Sequence, residues 1–184
     1  MLNKLLEDGN TLFRKGRLTD AAYRYEYALR RLPRLRPDAA ASTTTITTSE
    51  DIFAQLKTHL LLNLSRTKRK LGLYQEAEKC AGQVLASRPQ CHEAWWARAK
   101  ARSDQDQFQE ALSDLREALK LAPQNLQLHA FSLQVKSRLE RKQAKCLSSN
   151  LTTSSSAFMT ASEVENPDEI KELEIRTLIV ENEP

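Results

Sequence analysis

The chain is 184 residues long, with 28 Lys and Arg against 24 Asp and Glu, a formal net charge of +4, and only four Gly and six Pro. That length suits one domain with a core of its own, and so little Gly and Pro among abundant Leu, Ala, Glu, Gln, Lys and Arg disfavours the tight turns of an all-β fold and favours helices. No run approaches the roughly 18 to 20 apolar residues that cross a bilayer, and the N-terminus lacks the charged-then-apolar pattern of a secretory signal, so an intracellular chain with no direct membrane insertion is expected.

The sequence repeats itself, and a fixed internal period signals stacked supersecondary units. The first unit, residues 2–35, carries Leu5, Gly9, Leu12, Gly16, Ala21, Tyr25, Ala28 and Pro33. Small residues at Gly9 and Ala21 let two antiparallel helices approach closely. Gly16 falls where the chain must reverse and tolerates positive φ there, and Pro33 stops the second helix. Residues 34–49, RLRPDAAASTTTITTS, have no helical period and are rich in Ser and Thr, which predicts a solvated insertion loop ahead of a helix starting near Glu50. The second unit, residues 50–91, continues the pattern as Leu61, Ser65, Lys68, Gly72, Ala77, Ala81, Val84 and Pro89. The third, residues 92–125, follows as Trp95, Ala99, Arg102, Asp106, Ala111, Leu115, Ala118 and Pro123. The fit is loosest in the second unit, where Lys68 and Ala81 replace larger apolar groups.

Residues 125–147 place Leu126, Leu128, Phe131, Leu133, Val135 and Leu139 among polar residues, the pattern of a capping helix over the last repeat's apolar face. The Ser/Thr-rich stretch 148–162 reads as a flexible linker. Residues 163–184 then change character, with eight acidic residues against two basic ones, while the repeats before them are basic. Ile170, Leu173, Ile175, Leu178 and Ile179 give this segment apolar anchors, and it is expected to dock as a ligand in the groove of this array or of a neighbouring copy. The abrupt change also fits a partner peptide fused to its receptor.

Helix–turn–helix units with small residues at these points resemble the tetratricopeptide repeat over residues 2–123. The resemblance implies an all-α, three-repeat superhelix with a C-terminal capping helix, spanning residues 1–147. In that architecture the first helix of each unit lines a concave face. Its exposed stripe would present Leu6, Asn10, Phe13 and Arg14 from the first unit, Leu62, Asn63, Arg66 and Lys70 from the second, and Trp96 and Lys100 from the third. Asn3, His59, Arg69, Glu93, Ala97 and Asp104 project beside them. Adjacent helical residues point about 100° apart, so with Trp95 in the inward register Trp96 faces the groove. Apolar groups interleaved with bases suit a peptide carrying both apolar anchors and carboxylates.

Catalytic chemistry is not indicated. No phosphate loop, GxSxG elbow, HExxH or EF-hand pattern occurs, and His59, His92 and His129 are dispersed. Cys80, Cys91 and Cys146 form neither a CxxC pair nor a couplet with histidine, so no metal or other cofactor is expected. A nucleic-acid binder is disfavoured because bases alternate with acids along the helices and no aromatic stacking platform appears. The resemblance also frames a chaperone-binding alternative, since such domains grip a C-terminal carboxylate with a Lys and an Asn, then an Asn, then a Lys and an Arg on successive units. Asn10 and Asn63 match that set, whereas Leu6, Glu93 and Ala97 stand at the basic positions.

Within the repeat proteins, LLEDGNTLFRKGRLTDAAYRYEYALRRLP, LLLNLSRTKRKLG and AWWARAKA are similar to the repeat region of the TANC and rolling pebbles (antisocial) scaffolds. That similarity implies ankyrin repeats in the full-length protein and a scaffold that binds the cytoplasmic tail of a cell-adhesion receptor. It further implies a cytoplasmic location at membrane contact sites, in muscle-precursor (myoblast) fusion or at synapses.

Overall fold

The computed structural model describes residues 2–32 and 43–158, with side chains described for residues 3–32 and 51–147. Seven helices and no strand occur among the described residues: α1 (Leu2–Arg14), α2 (Leu18–Arg31), α3 (Thr43–Lys70), α4 (Tyr74–Ser87), α5 (His92–Asp104), α6 (Phe108–Leu121) and α7 (Leu126–Phe158). Pro33, positions 34–42 of the insertion, and residues 159–184 with Ile170, Leu173, Ile175, Leu178 and Ile179 lie outside the described residues.

Each repeat is a helical hairpin closed by the same turn. Gly16 and Gly72 adopt φ of 77° and 79°, and Asp106 takes the equivalent place in the third repeat at 59°. In each, the amide of the left-handed residue donates three residues back and the next amide five residues back: Gly16 to Phe13 with Arg17 to Leu12, Gly72 to Arg69 with Leu73 to Lys68, Asp106 to Ser103 with Gln107 to Arg102. This is the Schellman arrangement, which satisfies the last carbonyls of the first helix.

Packing follows the small-residue register. Ala21, Ala77, Ala99 and Ala111 are fully buried, and Ser65 donates its hydroxyl to the Ala77 carbonyl at 2.8 Å across the α3–α4 contact. Tyr25, Leu56, Leu60 and Leu64 fill the core between α2 and α3. Leu61, Val84, Leu85 and Ala94 fill the space between α3, α4 and α5. Ala99, Phe108, Leu115, Leu128 and Val135 do so between α5, α6 and α7.

Lys68, the misfit of the second repeat, is accommodated electrostatically. Its ammonium reaches Glu26 of α2 at 2.8 Å and Glu76 of α4 at 2.9 Å, and hydrogen bonding to these carboxylates raises its proton affinity.

Two boundaries differ from expectation. The helix expected from Glu50 starts at Thr43, within the predicted insertion loop. Extending a helix anchored by its packed part requires only one more fixed residue per added hydrogen bond, so weak Thr propensity does not stop it. For the same reason α7 continues through residues 148–158, which were expected to be linker. The capping role belongs to Leu128 and Val135, both fully buried, while Leu126 and Leu133 are 81% and 69% exposed. Residues Met1–Glu140 form one compact unit and Arg141–Pro184 a second, of which only helix is described.

Candidate functional site

Inside the first unit, α1, α3 and α5 line a cavity of about 860 Å³. Leu6, Asn10 and Phe13 come from α1, Leu62, Asn63, Arg66 and Lys70 from α3, and Trp96 and Lys100 from α5. Nine of the ten residues projected onto the concave face therefore share one groove. The exception is Arg14, which is exposed with its guanidinium 3.5 Å from Thr11 Oγ1. His59, Arg69, Glu93 and Ala97 line the groove as projected, whereas Asn3 and Asp104 do not.

The floor is a short polar chain. The Tyr25 hydroxyl donates to Asn10 Oδ1 at 2.7 Å, and Asn63 Nδ2 donates to the same oxygen at 3.0 Å. Tyr25 is all but inaccessible to solvent, and burial pushes its phenol up to about 12 against the opposing charges of Arg66 and Arg14. Gly9 makes this possible: a Cβ there would lie 2.5 Å from Tyr25 Cε1, so only glycine lets the ring pass.

The walls pair aromatic rings with cations. The Lys70 ammonium lies 4.7 Å from the Phe13 ring centroid, and the Lys100 ammonium 3.5 Å from that of Trp96 and 5.8 Å from that of Phe131. Burial, reinforced by the Arg69 and Arg66 charges, pushes Lys100 down to about 8. Among the described residues five cations line the groove, namely Arg66, Arg69, Lys70, Arg88 and Lys100, against the single carboxylate of Glu93. Arg69 is paired with Asp104 at 2.8 Å.

The two tryptophans divide as the register implies. Trp95 packs against buried residues on both sides of α5 and donates Nε1 to the Pro89 carbonyl at 2.7 Å. Trp96 lines the groove, with its Nε1 buried and lacking a hydrogen-bond partner among the described residues. Arg98 is turned away from the groove. It pairs with buried Asp114 through two bonds of 2.8 and 2.9 Å, and Arg102 reaches the same carboxylate at 2.9 Å. Arg102 also meets Glu78 at 2.7 Å. Burial drives the Glu78 carboxyl upward, but hydrogen bonds from Arg102 and Gln105 outweigh it and leave the group below its ordinary value.

Projection of the first helices alone missed Arg88 and Cys91, which enter the groove from the turn between α4 and α5. A base immediately before the stop at Pro89 was the available signal. It also missed the Asp114 network, although Asp114 occupies the apolar face between Ala111 and Ala118 and so had to find a buried partner. Among the described residues no group of three His, Cys, Asp or Glu could hold a metal ion, and no helix is long and apolar enough to cross a membrane.

Residues 62–125 match the tetratricopeptide repeat family. Solved structures agree over a larger span. The Saccharomyces cerevisiae Hsp90 co-chaperone Cns1 superposes with a TM-score of 0.64 at 17% identity, covering 86% of this chain and 44% of that one. The first TPR of Spaghetti (RPAP3), bound to the HSP90 peptide SRMEEVD, gives 0.58 at 20% identity over 76% of this chain and 95% of the other. The Arabidopsis OM64 TPR domain gives 0.58 at 18% identity over 74% and 95%. At these identities the likeness establishes the tetratricopeptide-repeat fold.

Proposed function

We propose that this tetratricopeptide-repeat chain is a non-enzymatic protein-interaction module that holds an acidic, apolar peptide in the α1–α3–α5 groove. The observation that carries the reading is the groove lining itself: Leu6, Phe13, Leu62 and Trp96 alternate with five cations opposed by one carboxylate. Apolar side chains supply burial and the cations select carboxylates. The peptide-bound RPAP3 domain supports the use of this fold for peptide recognition.

Capture of a chaperone tail is the second reading, favoured by the co-chaperone neighbours. Against it, Leu6, Glu93 and Ala97 all line the groove at the positions where the family resemblance calls for bases. Following the similarity to TANC and rolling pebbles scaffolds, the partner is an adhesion receptor's cytoplasmic tail, and the module works in the cytoplasm at membrane contact sites. Residues 163–184, with their acidic and apolar composition, are proposed as a ligand of the same type.

Calorimetry on a chain ending at Phe158 tests this, with residues 163–184 and SRMEEVD each added as a free peptide. Saturable binding of the first, weakened by roughly 1 to 3 kcal/mol in Arg66→Glu and in Lys100→Glu with helicity unchanged, is expected. Tighter binding of SRMEEVD would establish the chaperone reading in its place.

A further inference from the structure

The wall formed by α3 and α5 holds more positive charge than its carboxylates compensate. Arg66, Arg69 and Lys100 line the same cavity. Asp104 is engaged by Arg69 at 2.8 Å, and no ion pair to Arg66 or Lys100 occurs among the described residues. Lys100 instead rests on the face of Trp96, its ammonium 3.5 Å from the ring centroid.

We propose that this wall is a phosphoryl subsite, taking the phosphate of a phosphorylated Ser, Thr or Tyr side chain on the peptide held in the groove. The proposal rests on the peptide-binding reading above and narrows its ligand.

With Arg69 matched by Asp104, Arg66 and Lys100 remain on one wall of the cavity, near enough for the Arg66 charge to lower the proton affinity of Lys100. A single carboxylate neutralises one of them. Two carboxylates on one face of an extended peptide come from alternate residues, whose attachment points stand about 7 Å apart along the strand, so they bring two separated charges rather than one concentrated charge. A phosphoryl group brings about −1.5 to −2 of charge and three acceptor oxygens to a single point. Arg66 offers a planar fork suited to two of those oxygens and Lys100 a compact charge for the third. The depressed proton affinity of Lys100, caused by burial and then by Arg69 and Arg66, reports the same poorly hydrated positive potential that a dianion would relieve. Trp96 and Leu62 border the subsite and leave apolar surface for the flanking residues.

Two arms on the full chain test this near neutral pH. In the first, inorganic phosphate and acetate are titrated at constant ionic strength while nitrogen-detected NMR follows the Arg side chains and Lys100 Nζ. Phosphate is expected to give saturable shifts at Arg66 and Lys100 that acetate does not, and Arg66→Gln or Lys100→Gln should abolish them. In the second, peptides of residues 163–184 carry phosphoserine in turn at Asp168, Glu169, Glu172 and Glu174. At least one should bind ten-fold or more tightly than the unmodified peptide, with the gain lost in Arg66→Gln and kept in Lys4→Gln, whose exposed side chain lies outside the groove. Equal responses to phosphate and acetate, or a bound unmodified peptide with no gain at any position, would overturn the subsite. Specific phosphate binding without any peptide binding, on the full chain and on the chain ending at Phe158 alike, would support the subsite and overturn the peptide reading.

Discussion

Alanine at Gly9 should destabilise the protein, whereas alanine at Gly82, the same chemical change in another helix, should stabilise it. Both glycines sit inside helices, where Gly is about 0.8 to 1 kcal/mol less favourable than Ala. At Gly82 nothing lies within 4 Å of an added Cβ, so that gain is realised. At Gly9 the Cβ would sit 2.5 Å from Tyr25 Cε1 and 2.9 Å from both Cδ1 and Cζ. Comfortable carbon contacts need about 3.5 to 4.0 Å, so ring or helix must move by roughly 1 Å. Tyr25 has no free direction, being 1% exposed and tied through its hydroxyl to Asn10 at 2.7 Å. Overpacking costs about 1 to 3 kcal/mol, and losing the buried hydrogen bond about 1 more. Set against the helix gain, Gly9→Ala should be about 1 to 3 kcal/mol less stable than the parent. Urea unfolding followed by far-ultraviolet circular dichroism measures both variants. Peptide affinity should also fall only in Gly9→Ala, because Tyr25 positions Asn10 and through it Asn63. A Gly9→Ala protein as stable as Gly82→Ala would refute the close-approach argument.

Asp114→Ala should cost about 3 to 5 kcal/mol in urea unfolding, since it removes a carboxylate that is 2% exposed, takes the ion-pair partner from Arg98 and leaves Arg102 held by Glu78. Leu128→Ala should cost about 2 to 5 kcal/mol, and Leu133→Ala, on the open face of α7, less than about 0.5. Removing the charge by Lys100→Gln should stabilise the protein near neutral pH. Lys100 is about 8 when folded against an ordinary 10.5. The unfolded chain therefore binds the extra proton between those values, and the destabilisation is complete below about 8 and relieved as pH rises toward 10.5. The stability difference between Lys100→Gln and parent should shrink across that window, and a constant difference would dismiss the assignment.

Much of the fold was legible because helical hairpins advertise themselves locally. Gly16, Gly72 and Asp106 align in the repeat register, and all three take the left-handed conformation that the reversal requires. The groove was legible to the extent that a helix's exposed stripe follows from its period, which is why Phe13, Leu62 and Trp96 came together. What escaped depends on partners far apart in sequence. Nothing near Lys68 announces Glu26, and nothing near Arg98 announces Asp114 sixteen residues on. Arg69 was placed on the groove, but its pairing with Asp104 crosses from α3 to α5. The start of α3 and the extent of α7 escaped for a different reason, since Ser and Thr runs carry a weak local preference that an anchored helix overrides.

The charged contacts between repeats have a mechanical consequence. Apolar burial is non-directional, whereas Lys68 held between Glu26 and Glu76, and Arg102 held between Glu78 and Asp114, add directional contacts that favour one register. Each pin joins the second repeat to a neighbour, one on either side. The array should therefore flex less at these joints than a stack held by leucine alone, and present its ligand with a groove of fixed pitch.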